Sequence, residues 1–220
     1  MELKYRMKCE KIDFNVDEFS EQHLKVMDSV KTFTKETIKE DYDNLSSNYE
    51  GMFLRAGFHD PQQCAILVNE IWETQGKKKE ELHILDMGCG TGLVGKGLKE
   101  FGFSNIIGLD ASQGMIEEAK KTKPGVYDDF IEMFLGYPDK YPENLKDRFD
   151  IVTASGILAE NHLDCSVFDE MILSLKQGGI AVFATRTEYL TKYGYGDYMK
   201  KLVDEGKWRY VKENTFSRYD

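Results

Sequence analysis

The residues with the most chemical meaning stand close together: Asp86-Met87-Gly88-Cys89-Gly90-Thr91-Gly92, and then Asp110. Three glycines at alternate positions leave backbone N–H groups bare, because no Cβ keeps a ligand away from the main chain. An acid stands just ahead of them and a second stands twenty residues past Gly90. Glycine turns of this kind cradle nucleotide-like cofactors. A dinucleotide fingerprint, however, requires G-x-G-x-x-G, and counted from Gly88 its last position falls on Leu93. A nicotinamide-dependent oxidoreductase is therefore disfavoured. Asp86 would repel a pyrophosphate, yet its charge suits a cofactor carrying an ammonium and a sulfonium. Asp110 can accept two hydrogen bonds from a ribose diol.

The elements around the glycines fit that role. Leu82, Ile84, Leu85 and Met87 read as a buried strand, 82–87, and a helix is expected over 92–101, closed by Gly102. Strand 105–109 ends at Asp110. Helix 112–122 starts at Ser112 and stops before Pro124. Strands are expected at 130–135, 149–154 and 180–185, with a proline-bearing loop at 136–147, a loop at 156–162 and a helix at 164–176. A tyrosine-rich loop, a helix near 195–205 and a last strand at 208–213 complete the pattern. Strands separated by helices imply parallel pairing with crossover helices on both faces, and ligands beyond the carboxyl ends of the strands. Ahead of this domain, Asp17 or Ser20 is placed to cap a helix running to about Glu40. The segment 42–60 is aromatic and partly helical, and a helix starts at Pro61 with Asp60 as its cap. The chain thus divides into an N-terminal helical arm and cofactor lid, 1–60, and a cofactor-binding domain, 61–220.

Bulk properties narrow the function further. The chain has 220 residues, 41% hydrophobic and 31% charged, with a formal net charge of −10. That balance suits one large soluble domain and argues against an extended nucleic-acid surface, which needs clustered Lys and Arg. No stretch reaches the roughly 18 apolar residues of a membrane span. The first residues, MELKYRMKCEKIDF, lack the apolar core of a signal peptide. Cys9, Cys64, Cys89 and Cys165 form no CxxC pair, so neither a disulfide framework nor a zinc site is expected. A reduced, cytoplasmic protein is the reading.

The segments LDMGCGTG and IIGLDAS resemble those of the class I S-adenosylmethionine-dependent methyltransferases. YDNLSSNYE, GVYDDFI, RFDIVTASGIL, NHL and LKQGGIAVFATR bring the chain closer to the methyltransferase-like proteins named after the Williams–Beuren syndrome chromosomal region. The resemblance runs from about Tyr42 to about Tyr219. It implies a Rossmann-like α/β sandwich, with S-adenosylmethionine as cofactor and S-adenosylhomocysteine as product. Asp86, Gly88 and Gly90, with Cys89 as a small residue between them, would hold the methionine part. Asp110 would take the ribose hydroxyls, Ala111 and Met115 would line the adenine, and Ala154 would touch the methionine side. Tyr42 and Tyr49 correspond to tyrosines that close over the cofactor. Where the family offers an acid to the adenine amine, Met133-Phe134-Leu135 stands here, so at Phe134 and Leu135 that hydrogen bond must come from backbone or be absent. The family also continues past the aromatic FSRY segment into one more apolar strand that completes an antiparallel hairpin; the resemblance therefore leaves two expectations, a truncated product or an unusual sheet in which strand 208–213 is poorly supported.

His162, after the fourth strand, is the candidate general base, with Glu160 and Asn161 in the same loop; the competing role is a helix cap. Tyr189, Tyr193, Tyr195 and Tyr198 are candidates for a substrate pocket or for a cover over the sheet edge. Arg186 would meet an acidic substrate group or Glu188. No carboxylate cluster suggests a metal. The function expected is methyl transfer to a small-molecule acceptor. The alternative is a non-catalytic interaction subunit docking through the open sheet edge or the N-terminal arm.

Overall fold

The computed structural model describes residues 33–34, 36–54, 57–73 and 78–218. The expected N-terminal helix from Asp17 or Ser20, and Cys9, lie largely or wholly outside these residues. Twelve elements follow in order: α1 (Ile38–Phe53), α2 (Asp60–Glu73), β1 (Ile84–Met87), α3 (Leu93–Glu100), β2 (Ile106–Asp110), α4 (Gln113–Thr122), β3 (Asp129–Glu132), β4 (Phe149–Leu158), α5 (Ser166–Ser174), β5 (Leu175–Thr185), α6 (Thr187–Lys192) and α7 (Tyr195–Asp204). Short 3₁₀ turns occupy Lys79–Glu81, Pro138–Lys140 and Glu143–Leu145.

The five strands form one sheet in the order β3-β2-β1-β4-β5, all pairs parallel. Order reverses between β1, which starts the sheet, and β4, and that crevice is where such sheets bind ligands. Every residue of β1 is buried, as a central parallel strand covered on both faces must be. On one face Ala65, Val68 and Trp72 of α2 and Val94 and Leu98 of α3 pack on Ile84, Ile106 and Val182. On the other, Val167, Phe168 and Met171 of α5 and Met199 and Leu202 of α7 pack on Leu85, Val152 and Leu109. The glycine turn is therefore clamped between two full cores.

Several boundaries differ from the sequence-based expectation. β3 stops at Glu132, not Leu135, because Gly136 and Tyr137 turn away and donate their N–H groups to the buried Glu170 carboxylate, 2.8 Å each. β4 runs on to Leu158 through an irregularity between Ser155 and Leu158, where Gly156 adopts φ +83°. β5 begins at Leu175 and absorbs Gly178 (φ +81°) in a second irregularity, so the preceding helix ends sooner than expected. The start of the tyrosine-rich stretch is helical, as α6.

The expected last strand, 208–213, is absent; that stretch is irregular. Trp208 explains why. Its ring stacks on Phe183 and meets Phe168 edge-on, while Nε1 donates to Met199 O at 3.1 Å. These contacts carry the chain off the outer edge of β5. Lys212 then pairs with Glu70 and Arg218 with Asp60, both on α2. The described sheet is thus wholly parallel. Among the described residues, no helix is long and apolar enough to cross a membrane.

Candidate functional site

A cavity of about 260 Å³ opens at the carboxyl ends of β1, β2 and β4. Gly88 and Gly90 form its floor, with φ of +66° and +52° that favour glycine. A Cβ built on Gly90 meets nothing within 4 Å, so this backbone stays bare toward open space. Asp110, Ala111, Ser112 and Met115 make one wall; Met133, Phe134, Leu135 and Tyr137 make the next; Ser155, Gly156, Ile157 and His162 lie opposite. Tyr42 and Tyr49 of α1 close the top.

Of the residues expected from sequence, Tyr42, Tyr49, Gly88, Gly90, Asp110, Ala111, Met115, Phe134, Leu135 and His162 line this one cavity. Asp86, Cys89 and Ala154 do not. Each lies buried just beneath or beside the turn. Cys89 packs against Gly108, and burial pushes its thiol well above the ordinary range, which leaves it no thiolate for nucleophilic work. Ala154 pairs with Met87 across the sheet.

Asp110 is held by the turn it faces. Its Oδ2 accepts from Gly90 N at 2.8 Å and its Oδ1 from Ser112 N at 2.9 Å. Burial raises its pKa, and these N–H groups work against that rise. Each oxygen keeps a lone pair for another donor. Ser112 caps α4, its Oγ accepting from Met115 N at 3.1 Å.

His162 is 9% exposed, with Nδ1 2.6 Å from Glu160 O and Nε2 2.7 Å from Tyr42 Oη. A carbonyl only accepts, so Nδ1 carries the proton and Nε2 receives the Tyr42 hydroxyl. Burial lowers the pKa of His162, the Glu160 carbonyl opposes this, and the Arg218 charge lowers it further. The ring is thus a neutral imidazole at physiological pH. Glu160 itself pairs with Lys192 at 2.9 Å, and Asn161 (φ +61°) shapes the same loop.

The tyrosines after β5 are mostly structural. Tyr195 is buried and donates to Leu163 O, Tyr198 donates to Asp169, and Tyr189 and Tyr193 pack edge to face. Arg186 contacts Glu188 at 3.3 Å.

Sequence reasoning missed the groups that seat α1. Lys39 Nζ donates to Ala111 O at 2.9 Å and to Glu132 at 2.6 Å. Asp43 Oδ1 accepts from Ser112 Oγ at 2.6 Å and from Gly114 N at 2.8 Å. Lys123 pairs with Glu50 at the far end of the helix. Glu132 closes β3, three residues before the end that the apolar run suggests. Ser155 carries no sequence signal at all, yet its buried Oγ lines the cavity without a hydrogen-bond partner among the described residues.

A five-stranded parallel sheet with a glycine turn after β1 and an acid closing β2 defines a Rossmann-like cofactor-binding fold. A family model described as a methyltransferase domain matches residues 78–209. The chain belongs to that methyltransferase family. It is 38% identical over 105 residues to methyltransferase-like protein 27 of Homo sapiens, across 47% of this chain and 40% of that protein. This agrees with the resemblance to the Williams–Beuren region group. It is 28% identical over 151 residues to the mitochondrial ubiquinone biosynthesis O-methyltransferase of Candida albicans, across 63% of this chain and 46% of that protein. The chain thus spans less than half the length of these two relatives. Among solved structures, ribosomal protein L11 methylase from Lactobacillus delbrueckii subsp. bulgaricus superposes with a TM-score of 0.49 at 19% identity, covering 66% of this chain and 69% of that one.

Proposed function

We propose that this chain is an S-adenosylmethionine-dependent methyltransferase acting on a small acceptor that bears a removable proton. One observation carries the reading: the bare Gly88–Gly90 backbone and the Asp110 carboxylate converge on one cavity with a neutral histidine on its far wall. The fit to the cofactor is good on three further counts. Asp110 has lone pairs to spare for ribose hydroxyls. Met115, Phe134 and Leu135 offer an apolar slot for an adenine. Ser155 Oγ offers an unused polar group. The lean toward a small acceptor rests on the net charge of −10 and on the aromatic lining.

When bound, the cofactor supplies a methyl group on a sulfonium, an electrophile whose leaving group is a neutral thioether. The chain's own work is to hold the acceptor in line with that methyl, an orientation worth several kcal/mol. His162 Nε2 is the proton acceptor within the cavity. In the docked arrangement Tyr42 O–H occupies it, so an acceptor hydroxyl must displace Tyr42 or pass its proton through it. Helix α1 serves as the lid: Lys39 and Asp43 fix it to the β2 side while Tyr42 fixes it to the β4 side.

Isothermal titration of the chain with S-adenosylmethionine and with S-adenosylhomocysteine tests this. Saturable one-to-one binding of both is expected. No binding of either would sink the reading and leave the fold as an interaction subunit.

A further inference from the structure

Tyr127 precedes β3 and has no part in the roles above. Its side chain is buried, and its hydroxyl joins two elements. Oη donates to Asp86 Oδ2 at 2.7 Å and accepts from Gly95 N, in the first turn of α3, at 3.2 Å. Thr153 Oγ1 of β4 donates to the other oxygen, Asp86 Oδ1, at 2.8 Å. Each carboxylate oxygen therefore holds one hydroxyl. The tyrosine ring also shapes the helix beside it. A Cβ on Gly95 would come 2.3 Å from Cζ, and one on Gly92 3.0 Å from Cε2. The ring thus requires a glycine at 95 and crowds position 92, where φ of +93° already favours one.

We propose that Tyr127 is a positioning residue for the cofactor turn, holding the Asp86 carboxylate beneath Gly88–Gly92 and fixing the start of α3, and that it thereby sets the affinity for a cationic, ammonium-bearing ligand. This rests on the cavity being an S-adenosylmethionine site. Asp86 is fully buried at the end of β1, directly under that turn. A carboxylate there attracts an ammonium or sulfonium through a medium of low dielectric. Burial raises its pKa to about 6, the hydrogen bonds from Tyr127 and Thr153 oppose this, and the charge of Asp110 adds to it. The other titratable groups it acts on are the buried thiols of Cys89 and Cys64. Lys123, close to Gly92, is engaged by Glu50.

The test is S-adenosylhomocysteine titration between pH 5.5 and 8 on the full chain and on Y127F, T153V, D86N and the Y127F/D86N double variant, each checked for an intact melt. Wild-type affinity should fall as pH drops through about 6. In Y127F affinity at pH 5.5 should fall by nearly tenfold, the scale of one hydrogen bond to a charged group, and at pH 7 by only about twofold. Its pH midpoint should move up by about one unit. T153V should move the midpoint the same way, and the double variant should bind no more weakly than D86N. Equal weakening of Y127F at every pH, or full additivity with D86N, would overturn the inference, since Tyr127 would then only pack. A wild type that binds no S-adenosylhomocysteine overturns the proposed function and this inference together; unchanged binding by Y127F overturns the inference alone.

Discussion

Tyr42 Oη lies 2.7 Å from His162 Nε2, although 120 residues separate the two in sequence. One residue comes from the helix that covers the site and the other from the loop beyond β4. Their contact joins the lid to the candidate base. The hydrogen bond is donated to neutral imidazole, so it adds to burial in holding the His162 pKa below its usual value. Tyr42→Phe should therefore raise that pKa, and ¹⁵N-histidine NMR titration reads it directly. A His162 midpoint that stays put, with the Nε2 resonance unmoved, would show that the two rings are not hydrogen-bonded in solution.

Two buried groups contribute to the pH dependence of stability with opposite sign. His162 has a lowered pKa in the fold, so the unfolded chain binds a proton first. Its contribution is present above the ordinary histidine range and is lost as pH falls through it. Asp86 has a raised pKa of about 6 against 3.8. Between those values the folded chain binds the extra proton, so keeping Asp86 ionised costs stability above pH 6, on the order of 3 kcal/mol. The two effects partly cancel in the wild type, and single variants separate them. H162Q should lose the acid-side decline. D86N should melt no lower than the wild type at pH 7, and higher if its amide keeps both hydroxyl partners, while binding the cofactor more weakly. A D86N chain that melts far lower at pH 7 would mean that Asp86 is ionised for stability and not for binding.

Asp110→Ala removes the partner of Gly90 N and Ser112 N together with the group proposed to hold the ribose. Cofactor affinity should fall well over tenfold, since a charged two-oxygen contact is lost. The fold should survive, because the residue sits at a strand end and not within either core. D110N should fall between the two. An unchanged affinity in D110A would place the ribose elsewhere in the cavity.

Much of this was readable from the sequence because the signals were local. The glycine turn, the acid at Asp110, the Ser112 cap and the apolar runs of β1, β2 and β4 each declare themselves within a few residues. What stayed hidden depends on distant partners. Lys39 and Asp43 look like ordinary surface charges of a helix until Ala111, Ser112, Gly114 and Glu132 stand opposite them. Asp86 was expected beside the ligand, yet Tyr127 and Thr153 draw its carboxylate below the turn. The stretch 208–213 reads as a strand from its aromatic and β-branched residues, but strand character needs a ladder, and Trp208 commits the chain to a hydrophobic slot instead.

The lid can be loosened without touching the turn. Asp43→Ala leaves Ser112 Oγ and Gly114 N without their shared acceptor at the start of α4. Hydrogen exchange of the α1 amides should then rise, and cofactor affinity should drop about five- to tenfold, the effect of one or two hydrogen bonds. The melting temperature should move little, since among the buried residues of α1 only Phe53 is fully inside. Equal exchange in α1 with and without Asp43 would mean that the helix is held by its aromatic face and not by these contacts.

Gly88 and Gly90 should respond to alanine in opposite ways, and the contrast tests the whole reading of the turn. At Gly88 a Cβ would lie 2.1 Å from Ile157 Cγ2, so this β-branched side chain on β4 would have to shift, and φ is +66°. G88A should therefore lower stability by about 2–4 kcal/mol, combining overpacking with left-handed strain. At Gly90 the same methyl meets nothing within 4 Å, so only the strain of φ +52° remains, about 1–2 kcal/mol. The methyl would instead stand where the ligand's approach to the backbone is proposed. G90A should keep most of its stability and lose most of its affinity for S-adenosylhomocysteine. Thermal melts and titration of the two variants side by side decide the matter. A G90A chain that binds as well as the wild type would show that the ligand does not approach Gly90, and the floor of the cavity would have to be reassigned.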